Sequence, residues 1–89
     1  MKNKRILVVE DNQDNMTLMT DVLESLNFSV IPAFDGQHAV HLAQSELPNL
    51  ILMDLSLPVK DGWTATREIK QNEKLKHIPM IALSGISCR

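Results

Sequence analysis

Short runs of unbroken apolar residues alternate with stretches of helical spacing along this 89-residue chain, and few folds accept that order. Ile6-Leu7-Val8-Val9 and Leu50-Ile51-Leu52-Met53 are continuous runs, as expected of strands covered on both faces. Between them, Met16, Met19, Val22, Leu23 and Leu26 recur at helical spacing, with Asn12 or Asp14 able to cap the start and Asn27 suited to the exit. Phe28 to Ala33 reads as a short strand with Pro32 near its end. Asp35-Gly36 is a turn signal, and Ala39, Val40, Ala43 and Leu47 mark a second helix that Pro48 stops. Pro58 through Gly62 reads as a loop, and Trp63, Ala65 and Ile69 predict a third helix that fades at Gln71-Asn72. Pro79 then precedes a fourth run, Met80-Ile81-Ala82-Leu83.

Strand and helix in alternation imply parallel strands with helices packed on them. Parallel crossovers are right-handed, so the face a helix takes depends on which way the chain steps. The expected architecture is a flavodoxin-like, doubly wound parallel sheet of order 2-1-3-4. Its first helix lies on one face and the next two on the other. The strand order reverses between strands 1 and 3, and ligands of such sheets bind at that switch point, outside the carboxyl ends of the strands.

Three acids stand at those two ends. Glu10 and Asp11 follow the first run, and Asp54 follows the third. At about 4 Å and an effective dielectric near 20, each like-charge pair costs roughly 4 kcal/mol. Acids kept together against that repulsion usually hold a cation or do chemistry. Oxygen ligands favour Mg²⁺, Ca²⁺ or Mn²⁺, and a partial carboxylate shell suits Mg²⁺, which keeps several waters. With a cation on Asp11 and Asp54, Asp54 retains an oxygen that can attack a phosphoryl group. Ser84, at the neighbouring strand end, is a candidate to hold the new phosphoryl oxygens.

Other chemistry finds little support. No G-x-G-x-x-G, G-x-x-x-x-G-K-[ST] or G-x-S-x-G occurs. His38 and His41 lie three apart but lack a third soft ligand, so a solvent-facing pair is expected, and His77 shows no partner. Met16 and Met19 read as core filling, and Trp63 as packing. Lysines and arginines are scattered and the net charge is −2, so no basic face for nucleic acid is expected. The runs are too short to span a membrane or form a secretory signal. Cys88 is the one cysteine, which fits a reducing cytoplasm. The length fits one domain over residues 1–89, and 44% apolar with 22% charged residues is a globular composition.

At this point the chain resembles the receiver domain of two-component response regulators. Ile6-Leu7-Val8-Val9-Glu10-Asp11-Asn12 resembles the family's first strand and acidic pair. Leu50-Ile51-Leu52-Met53-Asp54-Leu55-Ser56-Leu57-Pro58 resembles the phosphoacceptor strand and loop. Asp61-Gly62 fits the start of the third helix, and Ile78-Pro79-Met80-Ile81-Ala82-Leu83-Ser84 is similar to the fourth strand with its switch hydroxyl. The resemblance implies that Asp54 accepts phosphate from a histidine kinase or phosphotransfer partner. It implies that Asp11 and Asp54 bind Mg²⁺, with the Ser56 carbonyl as a third ligand and Glu10 acting partly through water. It also implies that Ser84 swings toward the phosphoryl group, and that the chain is a signalling module rather than an enzyme with turnover.

Receivers of this kind continue for one more strand and two more helices, with a Lys that pairs with the acyl phosphate, whereas these 89 residues end at Arg89. The 1–89 unit is therefore read as an incomplete receiver with impaired switching. One helix would have to cover a whole sheet face, leaving strands 3 and 4 partly bare, so self-association through that face or the strand-4 edge is expected. Two other readings stand beside it. One is a dimerisation or binding module with a relic acid pocket. The other is an Asp-nucleophile phosphatase, against which Ser56 stands where such enzymes want a second Asp.

Overall fold

A computed structural model describes residues 4–54 and 59–83, with side chains described over the same residues except 59–63 and 83. Seven elements alternate strictly: β1 (Arg5–Val9), α1 (Gln13–Ser25), β2 (Ser29–Ala33), α2 (Gly36–Glu46), β3 (Leu50–Asp54), α3 (Val59–Gln71) and β4 (Met80–Leu83). The strands form one parallel sheet in the order β2-β1-β3-β4. This is the doubly wound arrangement expected from the alternation.

Side chains alternate across a strand, and the two cores follow that period. Leu7, Val9, Ile51, Met53 and Ala33 point to the side of α2 and α3, where Ala39, Ala43, Ala65 and Ile69 complete a fully buried cluster. Ile6 and Val8 point the other way and pack with Met16 of α1, flanked by Met19, Leu23, Val30, Leu50 and Leu52. Small residues dominate α2 at the contact, which lets that helix lie close to the sheet. Pro32, which has no N–H for a ladder, sits in β2 at the sheet's edge.

Local chemistry sets the helix ends. Asn12 caps α1, its side chain accepting from the Asn15 N–H at 2.9 Å, and Asp35 caps α2, accepting from the His38 N–H at 2.7 Å. Leu47 is not a core position of α2 as its spacing implied. It is the C-cap, left-handed at φ 48°, and exposed. Pro48 accounts for this, because a residue before proline is driven out of the right-handed helical region. Arg5 ties that end down, donating to the Glu46 carboxylate at 3.1 Å and to the carbonyls of Glu46 and Leu47.

Two further expectations are corrected. Val22 and Leu26, counted on the inner face of α1, are exposed, because the buried stripe runs through Met16, Met19 and Leu23. The segment read as a loop through Gly62 is helical from Val59, so α3 starts four residues before Trp63. Among the described residues no helix is long and apolar enough to cross a membrane.

The cap and the surface ion pair differ in weight. Asp35→Ala is expected to lower stability by about 1 kcal/mol, and Glu46→Ala, which loses a half-exposed pair, by under about 0.5 kcal/mol. Urea melts with unchanged m-values check both, and equal losses would contradict this ranking.

Candidate functional site

The parallel register brings the acids together. Val9 pairs with Met53 in the β1–β3 ladder, so the next residues, Glu10 and Asp54, are neighbours at the carboxyl end of the sheet. Both continue the parity of the α1-side face, Glu10 after Ile6 and Val8, and Asp54 after Leu50 and Leu52. The Glu10 N–H still donates to the Ala33 carbonyl at 3.0 Å, which holds the backbone there as an extension of the sheet. Asp11 follows as the chain turns into α1.

Glu10, Asp11 and Asp54 each offer a carboxylate oxygen, and these oxygens all lie within 4.8 Å of one another. It is the one such group of potential metal ligands among the described residues. Glu10 and Asp54 are buried, and Asp11 is exposed, so the cluster opens to solvent on one side. Within it, Glu10 Oε2 accepts from the Asn12 N–H at 3.1 Å, whereas Glu10 Oε1 is buried with no hydrogen-bond donor. Burial, followed by the adjacent Asp54 carboxyl, pushes Glu10 up to about 7, against the opposing pull of the Asn12 N–H.

A divalent cation fits this arrangement. Octahedral Mg²⁺ takes oxygens at about 2.0–2.1 Å, so ligand oxygens around one ion lie within about 4.2 Å of each other, close to the spread seen here. A buried carboxylate oxygen lacking a donor is also what a cation, directly or through its water, would satisfy. The residues placed to hold it are Asp11, Asp54 and Glu10. Ser56 and Ser84, the remaining site residues expected from the sequence, lie outside the described residues. His38, His41 and His77 are exposed and take no part. The role of the Asn12 backbone was not foreseen. Its position two residues after Glu10 and its suitability as an N-cap were visible, but not that one residue would cap α1 and steady Glu10 together.

A parallel α/β sheet with a carboxylate cluster at its switch point is an arrangement suited to binding a cation. The sequence profile of the response regulator receiver domain matches residues 6–87. The polar-differentiation response regulator DivK of Brucella ovis is 38% identical over 86 residues, covering 97% of this chain and 70% of that protein. The receiver domain of sensor histidine kinase PA1611 from Pseudomonas aeruginosa, solved with a magnesium ion coordinated in its active site cleft, superposes with a TM-score of 0.88 at 41% identity. That match covers 98% of this chain and 71% of the solved one. The Mn²⁺-bound form of response regulator Rcp1 superposes with a TM-score of 0.79 at 41% identity, over 91% of this chain and 65% of that one. The chain belongs to the response regulator receiver domain family.

The raised Glu10 makes a pH prediction with a definite sign. Its value of about 7 in the folded chain exceeds the ordinary 4.5, so between these limits the folded state binds more protons than the unfolded state. The stabilisation from this group is therefore complete below about pH 4.5 and is lost as pH rises through about 7. Without divalent ions, the melting temperature of the wild type is expected to fall between about pH 5 and pH 8 by more than that of Glu10→Gln. Parallel profiles for the two proteins would contradict the assignment.

Proposed function

We propose that this receiver domain accepts a phosphoryl group on Asp54 from a histidine kinase or phosphotransfer partner, in a reaction that requires Mg²⁺. The observation that carries the reading is the position of Asp54. It is a buried carboxylate at the end of β3, with oxygens of Glu10 and Asp11 within 4.8 Å. The magnesium-bound receiver domain at 41% identity supports the choice of ion.

An Asp54 carboxylate oxygen attacks phosphorus, forming an acyl phosphate as the bond from phosphorus to the donor breaks and the donor leaves with that electron pair. Such a transfer depends on placement and charge neutralisation more than on covalent assistance. Bound Mg²⁺ supplies the neutralisation of the phosphoryl oxygens. The chain's own residues do the rest. β3 fixes the direction of Asp54, the β1–β3 ladder sets Glu10 and Asp11 beside it, and the Asn12 N–H keeps Glu10 in place. Ser84 is the hydroxyl proposed to meet the new phosphoryl group, and the Ser56 carbonyl the further metal ligand.

Incubation with acetyl phosphate and Mg²⁺ tests the reading by intact-mass spectrometry. The expected result is a gain of one phosphoryl group, absent in Asp54→Ala and absent with EDTA. An unlabelled wild type that is folded and binds Mg²⁺, or labelling that survives in Asp54→Ala, would contradict it.

A further inference from the structure

Glu10, Asn12 and Asn15 form a small ring where β1 passes into α1. A helix start leaves backbone N–H groups without partners, and the common remedy is reciprocal. The cap side chain accepts from the N–H of the third helical residue, and a Glu or Gln at that residue accepts from the N–H of the cap. Half of that arrangement is present. Asn12 Oδ1 accepts from the Asn15 N–H at 2.9 Å, and the Asn12 carbonyl accepts from the Met16 N–H at 2.9 Å. The other half is displaced. The Asn12 N–H donates to Glu10 Oε2 at 3.1 Å, so an acid two residues upstream fills the place of the third helical residue. That third residue is Asn15, a weaker helix former than Glu or Gln. Its side chain is not needed at the cap. The Asn15 amide instead faces Glu10 closely enough to draw its proton affinity down, in the same sense as the Asn12 N–H and against burial and the Asp54 carboxyl.

A buried carboxylate needs such donors to have one orientation. The last torsion of a Glu side chain is broad, so its own rotamer preference does not fix the plane of the carboxylate. The first turn of α1 brings two donors to Glu10, and Oε1 is the oxygen left without one. We infer that Asn15, set by the Asn12 cap, is a positioning residue for the divalent ion, acting through Glu10 by holding that carboxylate so that Oε1 is left for the cation or its water. The amide suits the place. A lysine there would compete with the cation for Glu10, and another acid would add to the repulsion among the carboxylates. An amide donates without changing the charge of the site.

This role rests on the ion site rather than on phosphoryl transfer, and Mn²⁺ binding followed by water-proton relaxation tests it with no phosphoryl donor present. Ala is a better helix former than Asn, so Asn15→Ala keeps α1. It is expected to weaken Mn²⁺ binding about tenfold, the size usual for a group that orients a metal ligand. Asn12→Ala is expected to weaken binding too, and Asn12→Ser, which restores a cap, to recover the wild-type affinity. In a Glu10→Gln background, Asn15→Ala is expected to change the affinity by less than about twofold, because its effect passes through residue 10. Val22→Gly loosens α1 at an exposed position and is expected to bind Mn²⁺ as the wild type does. Equal affinity in the wild type and Asn15→Ala would overturn the inference and leave the ion site standing. So would a loss in Asn15→Ala that persists undiminished beside Glu10→Gln, or a loss of the same size in Val22→Gly. A wild type that binds no Mn²⁺ would overturn the ion site and this role together.

Discussion

Repulsion between carboxylates that a parallel β-ladder forces together is the constraint on which this molecule turns. The pairing of Val9 with Met53 leaves Glu10 and Asp54 side by side, and neither can retreat. The backbone of residue 10 is bonded to Ala33, and residue 54 is still within β3. The ladder is in turn fixed by burial, since Leu7, Val8, Val9, Ile51 and Met53 are all inaccessible to solvent. Slipping the register by one residue would turn every one of these side chains to the wrong face. The hydrophobic core therefore supplies the free energy that holds like charges together. Burial of Glu10, together with the adjacent Asp54 carboxyl, raises the proton affinity of Glu10, whose Oε1 has no donor.

Strain of this kind prepares a site. A group of oxygens already gathered loses little entropy on receiving a cation, and the cation removes the repulsion that gathering them created. Among the described residues, the exposure of Asp11 beside two buried acids leaves an approach that a hydrated ion can use.

Much of this could be read from the chain. Four short apolar runs separated by helical spacing specify alternating parallel strands and helices, and the reversal in strand order places the ends of β1 and β3 together. That was enough to single out Glu10, Asp11 and Asp54. Finer features depended on neighbours far apart in sequence. Val22 has the spacing of a core residue, yet the face of α1 packed on the sheet runs through Met16, Met19 and Leu23. Leu47 looks helical until Pro48 excludes that conformation. Gly62 between Pro58 and Trp63 looked like loop, although it lies within the first turns of α3. The orphaned oxygen of Glu10 was out of reach altogether, because it depends on which of two oxygens the Asn12 N–H selects.

The central claim is that the three carboxylates jointly hold one divalent ion, and paramagnetic broadening by Mn²⁺ in a nitrogen-15 spectrum of the chain tests it most directly. Substoichiometric Mn²⁺ should first erase the amide signals around residues 10, 11 and 54, with Mg²⁺ restoring them by competition. Broadening centred instead on Asp14, Asp21 and Glu24 of α1, or spread evenly over the acidic surface, would contradict it.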